Sequence, residues 1–555
     1  MGYAHEYADA VLHRGRVPME PADFVPDWPD APRKGKFYPG VEPYALPDGD
    51  DLADAPAAAG LLPAPGAAAG AAGADADAGF TLPLLSAMLK DSYGLTGRRL
   101  GIQANSDLPG LPLYTHANWS RGTAGGGGLY PVAVHWASGP SGPLTPGLHH
   151  YDVQRHAVQR LLTGDVTDRV REALGPDAPA EARETDQYLL LSVKYWQTAF
   201  KYNSFGFHVV CTDVGTLVGT WRVWAAAHGM DLDPLFWFDE PRLNGLLGAE
   251  SEEESVFAVV PLRWKGVGAG AGPMGDASVR ARAARPDPAV LHRDLERSRT
   301  VIGFPTVRAM HAATLAGATA RPAPGALAAA AVRPLPEGGP RVALPSPALP
   351  EVPVRRVLRD RRSSFGRFDA ARPVTPAELS AVLAACAATS LGGEGAGGTG
   401  GPDSAGADRL VRLYVFVNHV EGIEPGAYAY DPDSGELVLQ VTGAQGDFLQ
   451  ENYFLANYNL EQAGAVLVPT VRTEAVLDAV GGRGYRIAVG TAGAVAQTFY
   501  LAASALSVGA GVALGFDNVS FVERLGLAGT GEAPLLIMPL GHERPAPADF
   551  RHEIA

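Results

Sequence analysis

Cysteine is almost missing from this chain: Cys211 and Cys386 are the only two in 555 residues. That excludes a disulfide framework and a cysteine metal site, and both lie in apolar, helix-like surroundings that suit inert core positions. Charge is sparse at 19%, and basic residues are the scarcer sign, 45 against 60 acidic, for a net charge of −15. This balance disfavours general binding to nucleic acid or to anionic membranes, yet leaves room for a local basic cluster that holds one phosphate. No uncharged apolar run is long enough to span a bilayer, and Met1-Gly2-Tyr3-Ala4-His5-Glu6 lacks a basic-then-apolar signal. A cytoplasmic protein is the expectation. Also missing are a Walker-type loop and a G-x-S-x-G element. His149 and His150 have no partner at ligand spacing, and neighbours on a strand face opposite sides, so no metal site is expected.

What is present is a repeat. Pro146-Gly147-Leu148-His149-His150-Tyr151-Asp152 returns as Pro425-Gly426-Ala427-Tyr428-Ala429-Tyr430-Asp431, an offset of 425 − 146 = 279. Gly206-Phe207 with Gly215 returns as Gly484-Tyr485 with Gly493, where 493 − 215 = 278. A near-constant offset across separate patterns points to a duplicated domain. At 46% apolar the chain has a folded composition, and its length predicts two or three domains. The reading is an N-terminal arm with an Ala/Gly/Pro-rich linker (1–79), a first copy (80–265), a linker with a helical segment around 291–320 (266–350), and a second copy (351–555). In each copy a helix (82–92; 376–388) precedes a β-rich run (131–136; 410–417). A Pro-Gly turn, a short strand and a long apolar helix follow (208–228; 487–506). Short strands close each copy (256–262; 535–540). The order predicts an α+β fold, a sheet covered by helices.

The copies differ in polar equipment. Only the first carries Arg121-Gly122-Thr123-Ala124, then Gly125 to Gly128 and Leu129-Tyr130-Pro131. Four glycines in a row cost backbone entropy, and their benefit is close approach of main chain to a planar or phosphorylated ligand, although a flexible hairpin loop reads the same. Only the second carries Arg361-Arg362-Ser363-Ser364, which supplies charge-assisted donors for a phosphate or, equally, a solvated turn that pairs with acids such as Asp360. Lys201-Tyr202 closes an aromatic-rich helix containing Trp196 and Phe200. A buried lysine beside a phenol can act as base and relay; a surface lysine at a helix end is the plainer reading. Two halves with unlike polar groups suggest one composite site at their junction.

In order and spacing these residues resemble the flavin-dependent nitroreductase superfamily, and within it the SagB-type thiazole/oxazole (azoline) dehydrogenases of ribosomally synthesised peptide natural products. The carriers are Ser92-Tyr93-Gly94-Leu95-Thr96, Gly125 to Pro131, Pro146 to Asp152 and Phe200-Lys201-Tyr202. In the second copy they are Arg361 to Ser363, Gly493 to Gln497, Gly515-Phe516-Asp517 and Pro539-Leu540-Gly541-His542. The resemblance implies tandem nitroreductase-like domains, each a mixed or antiparallel sheet flanked by helices, forming an intramolecular pseudo-dimer with FMN at the junction. It implies that Arg361, Arg362 and Ser363 hold the phosphate and ribityl end. Arg121, Thr123, Gly126, Gly127 and Leu129 would approach the ring system, with Gln497 and Gly515 close by. A second potential site, Arg98-Arg99 with the 392–401 loop, would be degenerate.

The activity implied is oxidation of an azoline ring to an azole in a modified precursor peptide, with cyclodehydratase components of the same pathway as partners. Lys201 would take the proton and Tyr202 would position or relay it. The alternatives are a nitro- or quinone reductase using NAD(P)H on the same fold, and a non-catalytic peptide-binding subunit.

Overall fold

Two antiparallel sheets repeat one another strand for strand. Across the first the order is Pro43–Ala45, Ala157–Thr163, Gly147–Asp152, Val132–Ser138, Gln187–Lys194, Glu254–Pro261. Across the second it is Arg341–Ala343, Glu436–Thr442, Gly426–Asp431, Val411–Val417, Ala465–Val471, Met538–Gly541, with Gly509–Ala510 at the far edge and Ala533–Pro534 beside Ala465–Val471. The strand starts keep the sequence offset, 411 − 132 = 279 and 426 − 147 = 279. Even the register shift is copied, between Leu148 and His149 in one sheet and between Ala427 and Tyr428 in the other. The computed structural model describes residues 2–49, 51–62, 79–101, 105–108, 117–265, 287–335, 338–392, 409–545 and 550–554. Residues 63–78 of the first linker, 266–286 and 336–337 of the second, and residues 393–401 of the glycine-rich loop lie outside them.

The two halves join through their long helices, Gly206–Ala227 and Gly484–Ala505, which make the most extensive helix–helix contact among the described residues. Small residues allow it. A Cβ on Gly215 would lie 2.0 Å from the Gly490 carbonyl oxygen, and one on Gly493 would lie 2.2 Å from that of Thr212. The Gly484–Ala505 helix is apolar and long enough to cross a membrane, but 94% of its most apolar window is buried inside the fold. Beside the crossing, Glu240 pairs with Arg483 at 2.6 Å and Arg486 at 3.0 Å, a buried ion cluster across the junction. Burial opposes ionisation of Glu240, but Arg486 and Arg483 outweigh it and hold its pKa down at about 2. Cys211 and Cys386 are buried free thiols, and burial pushes that of Cys211 up to about 12.

Helix starts follow local chemistry. Thr81 caps Leu82–Ser92, and Thr375 with Glu378 forms a capping box at Pro376–Ala387. Other segments differ from expectation. The N-terminal arm begins with a helix, Tyr3–His13, and supplies the edge strand Pro43–Ala45 to the first sheet. The helix expected over 291–320 is confined to Pro305–Leu315. Residues before it run extended because they are tied to the arm: Asp30 accepts from Arg299 and Thr300 N–H at 2.7 and 2.9 Å, and Leu295 N–H donates to the Phe37 carbonyl at 2.9 Å. The chain's last strand, Arg551–Glu553, returns to pair with Gly97–Leu100 of the first half.

Candidate active site

The catalytic candidates sit at an elbow. Helix Tyr195–Tyr202 stops because Asn203 takes φ 41°, ψ −128°, after which the long helix starts at Gly206. A non-glycine residue in that region is strained, and the elbow leaves Lys201 and Tyr202 facing the glycine turn. Gly127 has φ 61°, and a Cβ there would lie 2.6 Å from Lys201 Nζ and 2.7 Å from Tyr202 Oη. A Cβ on neighbouring Gly126 would lie 2.3 Å from Val209. The glycines therefore serve close approach to the chain's own helices as well as to any ligand.

The turn is clamped from three directions. Gln197 Nε2 donates to the carbonyls of Leu129 (2.9 Å) and Tyr130 (2.8 Å). Gln497, fully buried on the other half's long helix, accepts from Ala124 N–H at 2.9 Å and donates to the Gly122 carbonyl at 3.1 Å. Gly126 N–H donates to Asp213 Oδ1 at 2.7 Å. Asp213 was not legible as a site residue; its only signal is a lone carboxylate within an otherwise buried helix. Its Oδ2 is buried without a hydrogen bond, and burial raises its pKa to about 7 against one opposing N–H from Gly126. Burial, then the Asp213 charge, raises the Tyr202 phenol well above its ordinary value, so it stays protonated. Burial, then the Lys34 charge, lowers the Lys201 amine.

Arg361 meets this turn from the second half. Its guanidinium donates to the Arg121 carbonyl at 3.0 Å and lies 5.2 Å from the Tyr500 ring centre, while its Nε is buried without a partner. Ser363 Oγ bonds the Tyr500 hydroxyl at 2.8 Å. Arg362 makes a two-pronged contact with Glu543, and Arg367 lies 3.5 Å from the same carboxylate. Burial pushes Glu543 up, but the Arg362 bonds outweigh it and hold it below the usual range. The orphaned buried Arg361 N–H is a donor that fits a phosphate, with Arg362 and Arg367 beside it on Glu543 and the Ser363 hydroxyl on Tyr500, and the adjoining glycine turn fits a planar group.

Other expected residues have different surroundings. The Thr123 hydroxyl donates to Thr220 Oγ1 at 2.9 Å and is buried. Arg121 lies over the Tyr130 and Tyr93 rings, 4.1 and 4.8 Å from their centres. Gly515 is backed by Phe454 and Leu455 and accepts from Phe454 N–H at 2.9 Å. Arg14 links that loop to the elbow, donating to the Leu514 carbonyl and lying 4.4 Å from the Phe205 ring centre. Arg99 is spent on carbonyls, among them that of Arg361 at 3.0 Å. The nearer counterpart of the arginine element follows helix Leu82–Ser92. Where Leu358-Arg359-Asp360 leads into Arg361-Arg362-Ser363, Leu89-Lys90-Asp91 leads into Ser92-Tyr93-Gly94. The two helix ends face each other, with Asp91 pairing Arg355 at 2.7 Å and Arg359 at 3.3 Å.

This duplicated sheet-and-helix fold, with its polar elements meeting at the junction, belongs to the nitroreductase family of oxidoreductases. Residues 358–542 match the nitroreductase family directly. A nitroreductase-family protein of Methanocaldococcus jannaschii is 32% identical over 203 residues, 36% of this chain and 94% of that protein. The crystal structure of a nitroreductase-family protein from Anabaena variabilis superposes with a TM-score of 0.67 at 21% identity, covering 98% of this chain and 100% of that one. The whole double architecture is thus a shared fold. Members of the family typically bind flavin.

Proposed function

We propose that the chain is an FMN-dependent dehydrogenase that oxidises azoline rings, thiazoline or oxazoline, to azoles in a modified precursor peptide. The observation that carries this reading is the meeting of Lys201 Nζ and Tyr202 Oη at Gly127, on a turn that also touches Arg361 of the other half. Reduction of a nitro group by a flavin needs no base for C–H abstraction, whereas oxidation of an azoline ring does, and the half-buried Lys201 amine is placed to serve as one.

Arg361, Arg362 and Ser363 would hold the phosphate end, and residues 121–129 with Gln497 would shape the ring site. FMN, when bound, supplies a two-electron acceptor for the hydride lost by the substrate carbon. The chain's own groups manage the proton. Lys201 Nζ, as free amine, takes the proton from the adjacent ring carbon as the C–H bond breaks, and the electron pair stays to complete the aromatic ring. Tyr202, kept protonated by burial, donates a hydrogen bond that orients the amine or the ring nitrogen.

The test is mass spectrometry of an azoline-bearing peptide incubated with the flavin-loaded protein, following loss of ~2 Da per ring, the proton and hydride removed. Lys201→Ala should keep FMN and lose on the order of 10²–10⁴-fold in rate. Oxidation at the parental rate would remove Lys201 from the mechanism. Failure of the parent protein to oxidise the peptide, together with NAD(P)H-driven reduction of a nitroaromatic, would replace this reading with the reductase one.

A further inference from the structure

Two amines approach consecutive glycines of the turn. A Cβ on Gly127 would lie 2.6 Å from Lys201 Nζ, and one on Gly128 would lie 4.0 Å from Lys34 Nζ. Lys34 comes from the N-terminal arm, far from Lys201 in sequence, and the arm is fastened on both sides of it. Upstream, Trp28 packs edge-on against Phe200 at 5.3 Å, and the Pro21 carbonyl accepts from Asn203 Nδ2 at 3.2 Å. Downstream, Lys36 pairs with Glu254 at 2.5 Å and Phe37 N–H donates to Asp294 Oδ1 at 2.8 Å. At Lys34 itself the backbone carbonyl accepts from Arg121 Nη2 at 3.2 Å. The Trp28 and Pro21 contacts fall on the helix that carries Lys201 and on the elbow that ends it, while Asp30 is tied to Arg299 and Thr300.

The cations gathered here are not paired with an acid. Among the described residues Lys34, Lys201 and Arg121 make no ion pair with a carboxylate, in a chain of net charge −15. The other titratable or charged groups facing the pair are Tyr202 on the same helix, Asp213 on the long helix, and Tyr93, Arg121 and Tyr130 around the turn. In the cavity beside Lys34 they are His150, Tyr151, Lys36 and Asp152, the last two already paired with Glu254 and Arg155. Asp213 sits on the Gly126 side of the turn and is bound to its N–H. Like charges at short range favour the neutral form of one partner, and the more buried amine is the one that yields its proton.

We propose that Lys34 is a positioning residue for the reaction: the arm holds its charge against Lys201 so that Lys201 Nζ stands as the free amine that accepts the ring proton. This rests on the reading of Lys201 as the base.

The test compares Lys34→Met and Lys34→Arg with the parent, measuring kcat/KM for azoline oxidation across pH with the flavin-loaded full chain. The fold of the arm is preserved because its bond to Arg121 uses the backbone carbonyl, and flavin absorbance checks occupancy. In Lys34→Met the acid limb should move to higher pH by about 0.5–1, a three- to ten-fold loss at fixed pH below the limb that is recovered above it. Lys34→Arg should follow the parent. An unmoved limb, or a loss equal at every pH, overturns the proposal. Lys201→Ala measured in parallel separates the two ideas. If it keeps the parental rate the base assignment itself fails. If it abolishes turnover while Lys34→Met leaves the limb in place, only the role of Lys34 is lost.

Discussion

The Asp213 carboxyl has one hydrogen bond, from Gly126 N–H at 2.7 Å, and burial lifts its pKa from 3.8 to about 7. A carboxyl whose folded value is raised takes up protons on folding. Its contribution is therefore favourable at low pH, declines from pH ~4 to ~7 and is flat above that. Asp213→Asn keeps an oxygen for Gly126 N–H and removes the cost of the buried charge. The variant should thus gain stability over the parent as pH rises through this window, by up to about 4 kcal/mol on the alkaline side. Thermal melts of both proteins at pH 5 and 8 check it; a gap that does not widen with pH would mean that Asp213 ionises freely. Which site residues could be read from sequence follows from where their signals lie. Lys201-Tyr202 and Arg361-Arg362-Ser363 are local strings with evident chemistry. Asp213 acts as a single polar atom pair within an apolar helix, and Lys34 acts across 201 − 34 = 167 residues, so neither leaves a local pattern.

At the scale of elements, the crossing of the two long helices depends on missing side chains. A Cβ on Gly215 would fall 2.0 Å from the Gly490 carbonyl oxygen, which is backbone and cannot swing away. Gly215→Ala should therefore cost ~1–3 kcal/mol or more by overpacking. Gly245→Ala is the control: it lies within helix Glu240–Leu247, nothing stands within 4 Å of its Cβ position, and alanine should stabilise by up to ~1 kcal/mol. Denaturant midpoints of the two variants should move in opposite directions; equal shifts would show that the crossing is loose. The long helices and paired strands were legible because their apolar patterns are long and occur twice. The three-residue strands Pro43–Ala45, Arg341–Ala343 and Arg551–Glu553 were not, since they are too short for any periodicity and exist only through their partners. The extended run before Pro305 carries helix propensity in its leucines and arginines, which the contacts with the arm override.

For the whole molecule, the arginine element occurs once. Its counterpart in the first half is Ser92-Tyr93-Gly94, where Ser92 Oγ accepts from Trp221 Nε1 at 2.8 Å and Tyr93 is buried, with no guanidinium supplied by that stretch. Arg99 already donates to backbone carbonyls. The purified protein is therefore expected to hold one FMN per chain, measured by flavin release against protein concentration, in a particle of one chain's mass by light scattering. Arg361→Ala should weaken that binding by ~1.5–3 kcal/mol, the worth of a charge-assisted hydrogen bond. Two flavins per chain, or undiminished binding in the variant, would contradict the composite site. The fusion that joins the two sheets has a further effect, on how the sequence can change. In a pair of identical subunits each substitution is written into both members at once, so a residue useful at one site and harmful at its twin is hard to keep. Here the arginines could be retained in one half while the matching stretch of the other turned to packing. The lysine–tyrosine elbow could likewise specialise without a mirror image. Joining the copies end to end thus released each from the symmetry that a dimer would impose.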